Sequence, residues 1–176
     1  MNKLFSVFLL ISLLSSCANK DWRTASREPA GLAPNPATET QAIIQFYAAD
    51  AFSWRGWFAV HTWVALKEPF AEQYTVHEVV GWRVKRGLPA LHQYLTTTPD
   101  RYWYGSKPEL VLSIEGEQAS QLIPKLTAAI KRYPWANEYS VVPGPNSNTF
   151  PAWLGLQVPE LGLDMPFNAI GSGYAD

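Results

Sequence analysis

The sequence is poor in the residues on which metal and thiol chemistry rest. Its 176 residues include one cysteine and three histidines. A lone thiol, Cys17, permits no intrachain disulfide and no cysteine-based metal site. His61, His77 and His92 lack His-x-x-x-His spacing and clustered carboxylates, so no metal and no other cofactor is expected. Charge is scarce as well: 16% of residues are charged, and 14 Lys+Arg against 15 Asp+Glu leave a formal net charge of −1. Such a chain has no electrostatic footprint for nucleic acid, which is therefore not an expected partner. Long apolar runs are missing beyond the N-terminus. The longest, residues 57–66, is interrupted by His61 and Thr62 and is too short to cross a bilayer.

The N-terminus reads as a signal peptide, with Lys3 as its positive charge and residues 5–14 as an apolar stretch broken only by Ser6 and Ser12. It ends in Leu14-Ser15-Ser16-Cys17, which resembles the lipobox of bacterial lipoproteins. The resemblance implies removal of residues 1–16 and lipidation of Cys17. Position 18 is alanine rather than the aspartate that resembles an inner-membrane retention signal, so the implied location is the outer membrane, facing the periplasm. Residues 17–41 are polar and contain Pro29, Gly31, Pro34 and Pro36, a composition that favours a flexible linker. Residues 42–176 are expected to form one domain.

That domain is rich in aromatics: all 8 Trp and all 8 Tyr follow Cys17. Trp and Tyr combine an apolar body with a polar edge, which suits either a heavy core or an aromatic-lined groove. β-Branched and aromatic residues predict strands over 43–52, 58–67 and 74–84, an antiparallel meander, and a half-buried strand over 109–114. Leu122, Leu126 and Ile130, with Ala119, Ile123 and Ala129, share one face of a helix over 117–133. Pro124 either kinks this helix or moves its start to near Ser120. A strand over 138–142 and a helix over 147–157 complete an α+β reading.

Two segments carry the residues most suited to chemistry. In Phe58-Ala59-Val60-His61-Thr62-Trp63-Val64, an imidazole sits among strand hydrophobics; its plain role would be a buried ring satisfied by a backbone carbonyl. In Pro143-Gly144-Pro145-Asn146-Ser147-Asn148-Thr149-Phe150, polar side chains stand at a helix start, where simple capping is worth on the order of 1 kcal/mol. A serine there would feel the helix dipole and the free N–H groups that can receive an oxyanion. The aromatic loop 99–108, with Tyr102 and Trp103, either lines a groove for a sugar or an extended peptide or plugs into the core.

These two segments resemble those of circularly permuted papain-like hydrolases: PPPDE-type isopeptidases, the lecithin retinol acyltransferase group and NlpC-type cell-wall peptidases. There a strand bearing His, much like His61-Thr62-Trp63-Val64, precedes a helix opened by a segment similar to Asn146-Ser147-Asn148-Thr149-Phe150, with cysteine where this chain has Ser147. The resemblance implies an antiparallel sheet packed with helices in a permuted papain-like fold. It further implies acyl transfer or amide or ester hydrolysis, with Ser147 as nucleophile and His61 as base. A second histidine orients the first in the acyltransferase group, which points to His77; because strand neighbours face opposite sides, Glu78 is the alternative. Asn146, Asn148, Trp63, Tyr102 and Trp103 are then the candidate substrate-binding residues, for a peptidoglycan, peptide or lipid substrate. The rival expectation is a non-catalytic binding or structural envelope lipoprotein that keeps the cleft. From about Phe46 onward the chain is also similar to a bacterial family known only as a domain of unknown function, through Phe58-Ala-Val-His-Thr-Trp, Val79-Val-Gly-Trp, Pro99-Asp-Arg-Tyr-Trp-Tyr-Gly and Pro143-Gly-Pro-Asn-Ser-Asn-Thr-Phe.

Overall fold

The computed structural model describes residues 21–176; the expected signal peptide and Cys17 lie outside them. Five strands form one antiparallel sheet in the order β4-β3-β2-β1-β5. They are β1 (Ile43–Asp50), β2 (Val60–Lys67), β3 (Tyr74–Val79), β4 (Leu91–Thr96) and β5 (Glu109–Glu115). With helices α1 (Gly81–Val84), α2 (Gly116–Lys131) and α3 (Thr149–Gln157), the arrangement is α+β. Among the described residues, no helix is long and apolar enough to cross a membrane.

The strands are shorter than their hydrophobic patterns. Ser53–Trp57 coils into a 3-10 turn between β1 and β2, and the end of the third pattern becomes α1. Strand β4 escapes the sequence reading because its Leu-His-Gln-Tyr-Leu-Thr mixes polar and apolar residues at an edge of the sheet, with no buried face to enforce alternation. Residues 138–142, expected as a strand, instead form a loop held by the Ser140 N–H donating to the Pro145 carbonyl at 2.8 Å. Helix α2 begins at Gly116 and continues through Pro124. An interior proline costs about 3 kcal/mol. Buried Leu122, Ile123, Leu126 and Ile130 offset it, since each such side chain contributes roughly 1.5–3 kcal/mol. In α3, Pro151 falls in the first turn, where its missing N–H has no intrahelical partner to lose.

Strand alternation divides the core in two. On one face Ile44, Phe46, Val64 and Leu66 pack with Leu122, Leu126, Phe150 and Leu154 of α2 and α3. On the other face Ile43, Tyr47, Trp63, Ala65, Tyr74 and Val76 are covered by Leu32, Ala33, Trp103 and Tyr104, which come from an N-terminal segment and from the turn before β5. The first of these is residues 26–34, which sequence composition assigned to a flexible linker. It is a docked strap. The Asp100 carboxylate accepts the N–H groups of Leu32 and Ala33 at 2.6 and 3.2 Å, and the Tyr74 hydroxyl donates to the Pro34 carbonyl at 2.9 Å. A prolyl segment has few N–H groups to satisfy, so it can lie across an aromatic face at little polar cost.

Candidate functional site

His61 and Thr62 are consecutive in β2, so their side chains leave the sheet on opposite faces. The register with β3 pairs Trp63 with Glu78 and Val64 with His77. Glu78 therefore shares the strap-covered face with His61, and His77 shares the helix-covered face with Thr62. This corrects the sequence assignment of His77 as the partner of His61; the alternative, Glu78, takes that place.

Around Glu78 the structure assembles a compact polar cluster. His61 Nε2 lies 3.3 Å from Glu78 Oε2, while His92 Nδ1 and Arg101 Nη2 each lie 3.6 Å from Oε1. Burial alone would raise the carboxyl's pKa, but hydrogen bonds from His61 and His92 and the Arg101 charge outweigh it and hold the group at about 2. Glu78 is thus an anion in the folded protein. For His61, burial is the largest influence and lowers the pKa, with the hydrogen bond to Glu78 opposing it. The Trp103 indole lies flat on the imidazole, with ring centroids 3.6 Å apart and planes within 6°. Trp82 stacks on the far side of Trp103 at 5.7 Å. These rings leave His61 6% exposed, so no substrate reaches it in this arrangement.

His77 is buried on the other face, and its Nδ1 has no hydrogen-bond partner among the described residues. Burial without a partner pushes its pKa down to about 4, so the ring is neutral at ordinary pH.

The segment around Ser147 is occupied by structural bonds. Asn146 Nδ2 donates to the carbonyls of Val141 and Ile170 at 2.9 and 3.0 Å, and its Oδ1 accepts the N–H groups of Asn148 and Thr149. Asn148 Nδ2 donates to the carbonyls of Val60 and Ile170 at 3.1 and 2.9 Å. The Thr149 hydroxyl donates to the Gly171 carbonyl at 2.7 Å. Gly171 has φ +93, and a Cβ there would collide with the Asn146 side chain, so this contact requires glycine. The Thr62 hydroxyl lies 2.9 Å from the Ser147 carbonyl and 3.1 Å from Asn148 Oδ1. Ser147 thus meets β2 at Thr62, with the strand backbone between it and the imidazole of His61. Its own hydroxyl has no hydrogen-bond partner among the described residues. Helix α3 begins two residues later, at Thr149, and Asn148 at its N-cap makes no side-chain cap bond.

The expected substrate-binding residues are placed by the same logic. Trp63 and Trp103 are buried in the core beneath the strap, and the Trp63 indole N–H donates to the Pro99 carbonyl at 2.8 Å. Half-buried Tyr102 is fixed by its backbone N–H to the Glu28 carbonyl. Asn146 and Asn148 are buried with their amides committed as described. Two surface hollows, one at Leu66, Thr75 and Leu95 and the other at Ala152, Leu163 and Met165, reach neither His61 nor Ser147. Among the described residues, no group of three or more His, Cys, Asp or Glu side chains is placed to hold a metal ion. His92 and Arg101 are the members of the Glu78 cluster that sequence reading passed over. The signal that would have found them is the β3–β4 register, which sets Glu78 opposite His92.

No curated protein and no solved structure matches the chain significantly. The model of the family described as "Protein of unknown function (DUF3750)" matches residues 41–174, almost the whole folded domain, and the chain belongs to that family.

Proposed function

We propose that this protein is a lipid-anchored envelope protein whose domain acts by binding or by structural presence rather than by catalysis. The observation that carries this reading is the separation of the two motif residues. A serine nucleophile needs a general base within hydrogen-bond reach to accept its proton during attack. Here the imidazole is turned to Glu78 under Trp103, while Ser147 joins the opposite face through Thr62. The side chains that flank Ser147 are hydrogen-bonded to backbone, which suits a structural knot linking β2, α3 and the C-terminal segment. The likeness to permuted papain-like hydrolases is then one of motif and order, without the working pair. The Leu-Ser-Ser-Cys17 sequence supports lipidation, and Ala18 supports an outer-membrane location facing the periplasm.

Treating purified protein with a fluorophosphonate probe tests the catalytic half of this proposal. The expected result is no labelling above that of Ser147→Ala; stoichiometric labelling at Ser147 that His61→Ala abolishes would restore the hydrolase reading. Intact mass tests the anchor: the expected species begins at Cys17 and carries lipid. An unmodified Cys17 in protein free of membranes would overturn that half.

A further inference from the structure

Exposed large hydrophobics are concentrated at one end of the sheet, where β1 and β3 end and β2 and β4 begin. The β1–β2 loop presents Trp54, 58% exposed, Trp57, 81% exposed, and half-exposed Phe58, with Trp54 and Phe58 rings 5.6 Å apart. Trp82 rises from the β3–β4 connection at the same end, joined to this loop through Tyr104, whose ring lies 5.7 Å from Trp82 and 5.4 Å from Phe52. Exposed Val141 and Val142 belong to the loop tied here by Asn146, and fully exposed Phe167 precedes Asn168, whose carbonyl accepts the Val60 N–H at 3.3 Å. Among the described residues, Phe70 and Leu95 are exposed at the opposite end, and Trp22 and Leu156, near the end of α3, are half-exposed elsewhere.

Charge follows the same axis. Loops 51–59, 80–90, 137–146 and 165–171 carry four basic residues, Arg55, Arg83, Lys85 and Arg86, against Glu138, with the acids Asp50 at the end of β1 and Glu109 at the start of β5 beside them. The turns at the other end carry Glu39, Glu68, Glu72 and Glu117. An aromatic tip flanked on two of its loops by Arg55, Arg83, Lys85 and Arg86 is complementary to a surface that is apolar within and anionic at its rim.

The start of the strap lies at this same end. The Gly105 N–H donates to the Ser26 carbonyl at 2.9 Å, and the Arg27 guanidinium sits 4.3 Å over the Tyr104 ring. Eight residues lie between Cys17 and Ser26, a reach of at most roughly 30 Å over nine Cα-to-Cα steps. We infer that the aromatic, basic end of the domain docks on the surface of the anionic bilayer that holds the Cys17 lipid, with Trp54, Trp57 and Phe58 seated among the headgroups. This rests on the lipid-anchor reading for its orientation, and it makes the anchor and the tip two signals for one membrane. A single acyl chain binds a bilayer reversibly, so a second, aromatic and basic contact lengthens residence and fixes which face of the domain looks outward.

The full chain, expressed in a Gram-negative host and purified with its lipid state read by mass, tests this in phosphatidylethanolamine–phosphatidylglycerol vesicles with and without brominated acyl chains. Brominated vesicles are expected to quench about a quarter or more of the tryptophan emission, since Trp54, Trp57 and Trp82 are three of 8 tryptophans. Trp54→Phe with Trp57→Phe should keep vesicle contact and remove most of the quenchable emission. Trp57→Glu with Phe58→Glu, changes at exposed positions, should abolish quenching of the tryptophans that remain. Lipidated protein whose emission is the same in both vesicle types would overturn the docking while leaving the anchor reading intact. Quenching of protein whose Cys17 is unmodified would uphold the docking and overturn the anchor.

Discussion

On its helix-covered face the sheet meets aliphatic side chains, a neutral His77 whose Nδ1 has no partner among the described residues, and a loop whose Asn and Thr side chains bond backbone carbonyls. On its strap-covered face it meets stacked aromatics around a buried carboxylate shared by His61, His92 and Arg101. The two motifs that suggest a catalytic pair lie one on each face. Motif resemblance brought together residues that strand alternation holds apart, and a two-residue periodicity decided what each could touch.

Removing the anion at the centre of the strap-covered face should have the largest effect. Glu78→Ala leaves His61, His92 and Arg101 without their shared acceptor, and losing one partner of a buried ionic cluster costs about 3–5 kcal/mol. Urea unfolding should show this, with Glu78→Gln milder because the amide oxygen still accepts a hydrogen bond. A loss under about 1 kcal/mol for Glu78→Ala would mean that the cluster contributes little and that stacking alone closes this face.

The helix-covered face should reveal itself by pH. His77 takes up a proton below about 6.5 when unfolded but only below about 4 when folded, so stability falls as pH drops between those values. The expected loss is roughly 3 kcal/mol. Glu78 acts in the same direction at lower pH: its depressed carboxyl contributes stability above the usual carboxylate range, lost as pH falls from about 4.5 toward about 2. Unfolding free energies measured from pH 7 to pH 3 should therefore show two stages. His77→Phe should make the first shallower, the remainder belonging to buried His61, whose pKa is also lowered, and leave the second; an unchanged first stage in that variant would show that His77 is not a group responsible.

A smaller loss, about 2 kcal/mol, is expected for Asn148→Ala, which strips the Val60 and Ile170 carbonyls of a donor and Thr62 of an acceptor. Ser147→Ala should change unfolding free energy by less than about 0.5 kcal/mol, because its hydroxyl bonds nothing among the described residues. If the Ser147 change matched that of Asn148, the division of labour proposed for this segment would be wrong.

Much of the architecture was legible because long amphipathic patterns report it directly: the apolar stripe of Leu122, Leu126 and Ile130 placed α2, and the alternation of Leu112 and Ile114 placed β5. Strand β4 was not, since an edge strand with no fully buried residue leaves no periodic trace. The strap was hidden for a different reason. Its prolines and polar residues look like tether, and only the aromatic face beneath Leu32 and Ala33 makes a docked course favourable. At the site, both motifs were visible, but the sidedness that separates Ser147 from His61 follows from tertiary placement. The choice of Glu78 over His77 needed the exact β2–β3 register, which one-residue uncertainty in a strand boundary inverts.

The alkylation rate of Ser147→Cys as a function of pH, measured with and without His61→Ala, tests the central claim most directly. A thiol beside an imidazolium at a helix N-terminus has a strongly depressed pKa and reacts fast near neutrality. The separation across β2 predicts slow alkylation whose pH profile is the same in both backgrounds. Rapid reaction near pH 7 that disappears with His61→Ala would place the two side chains together and contradict the non-catalytic account.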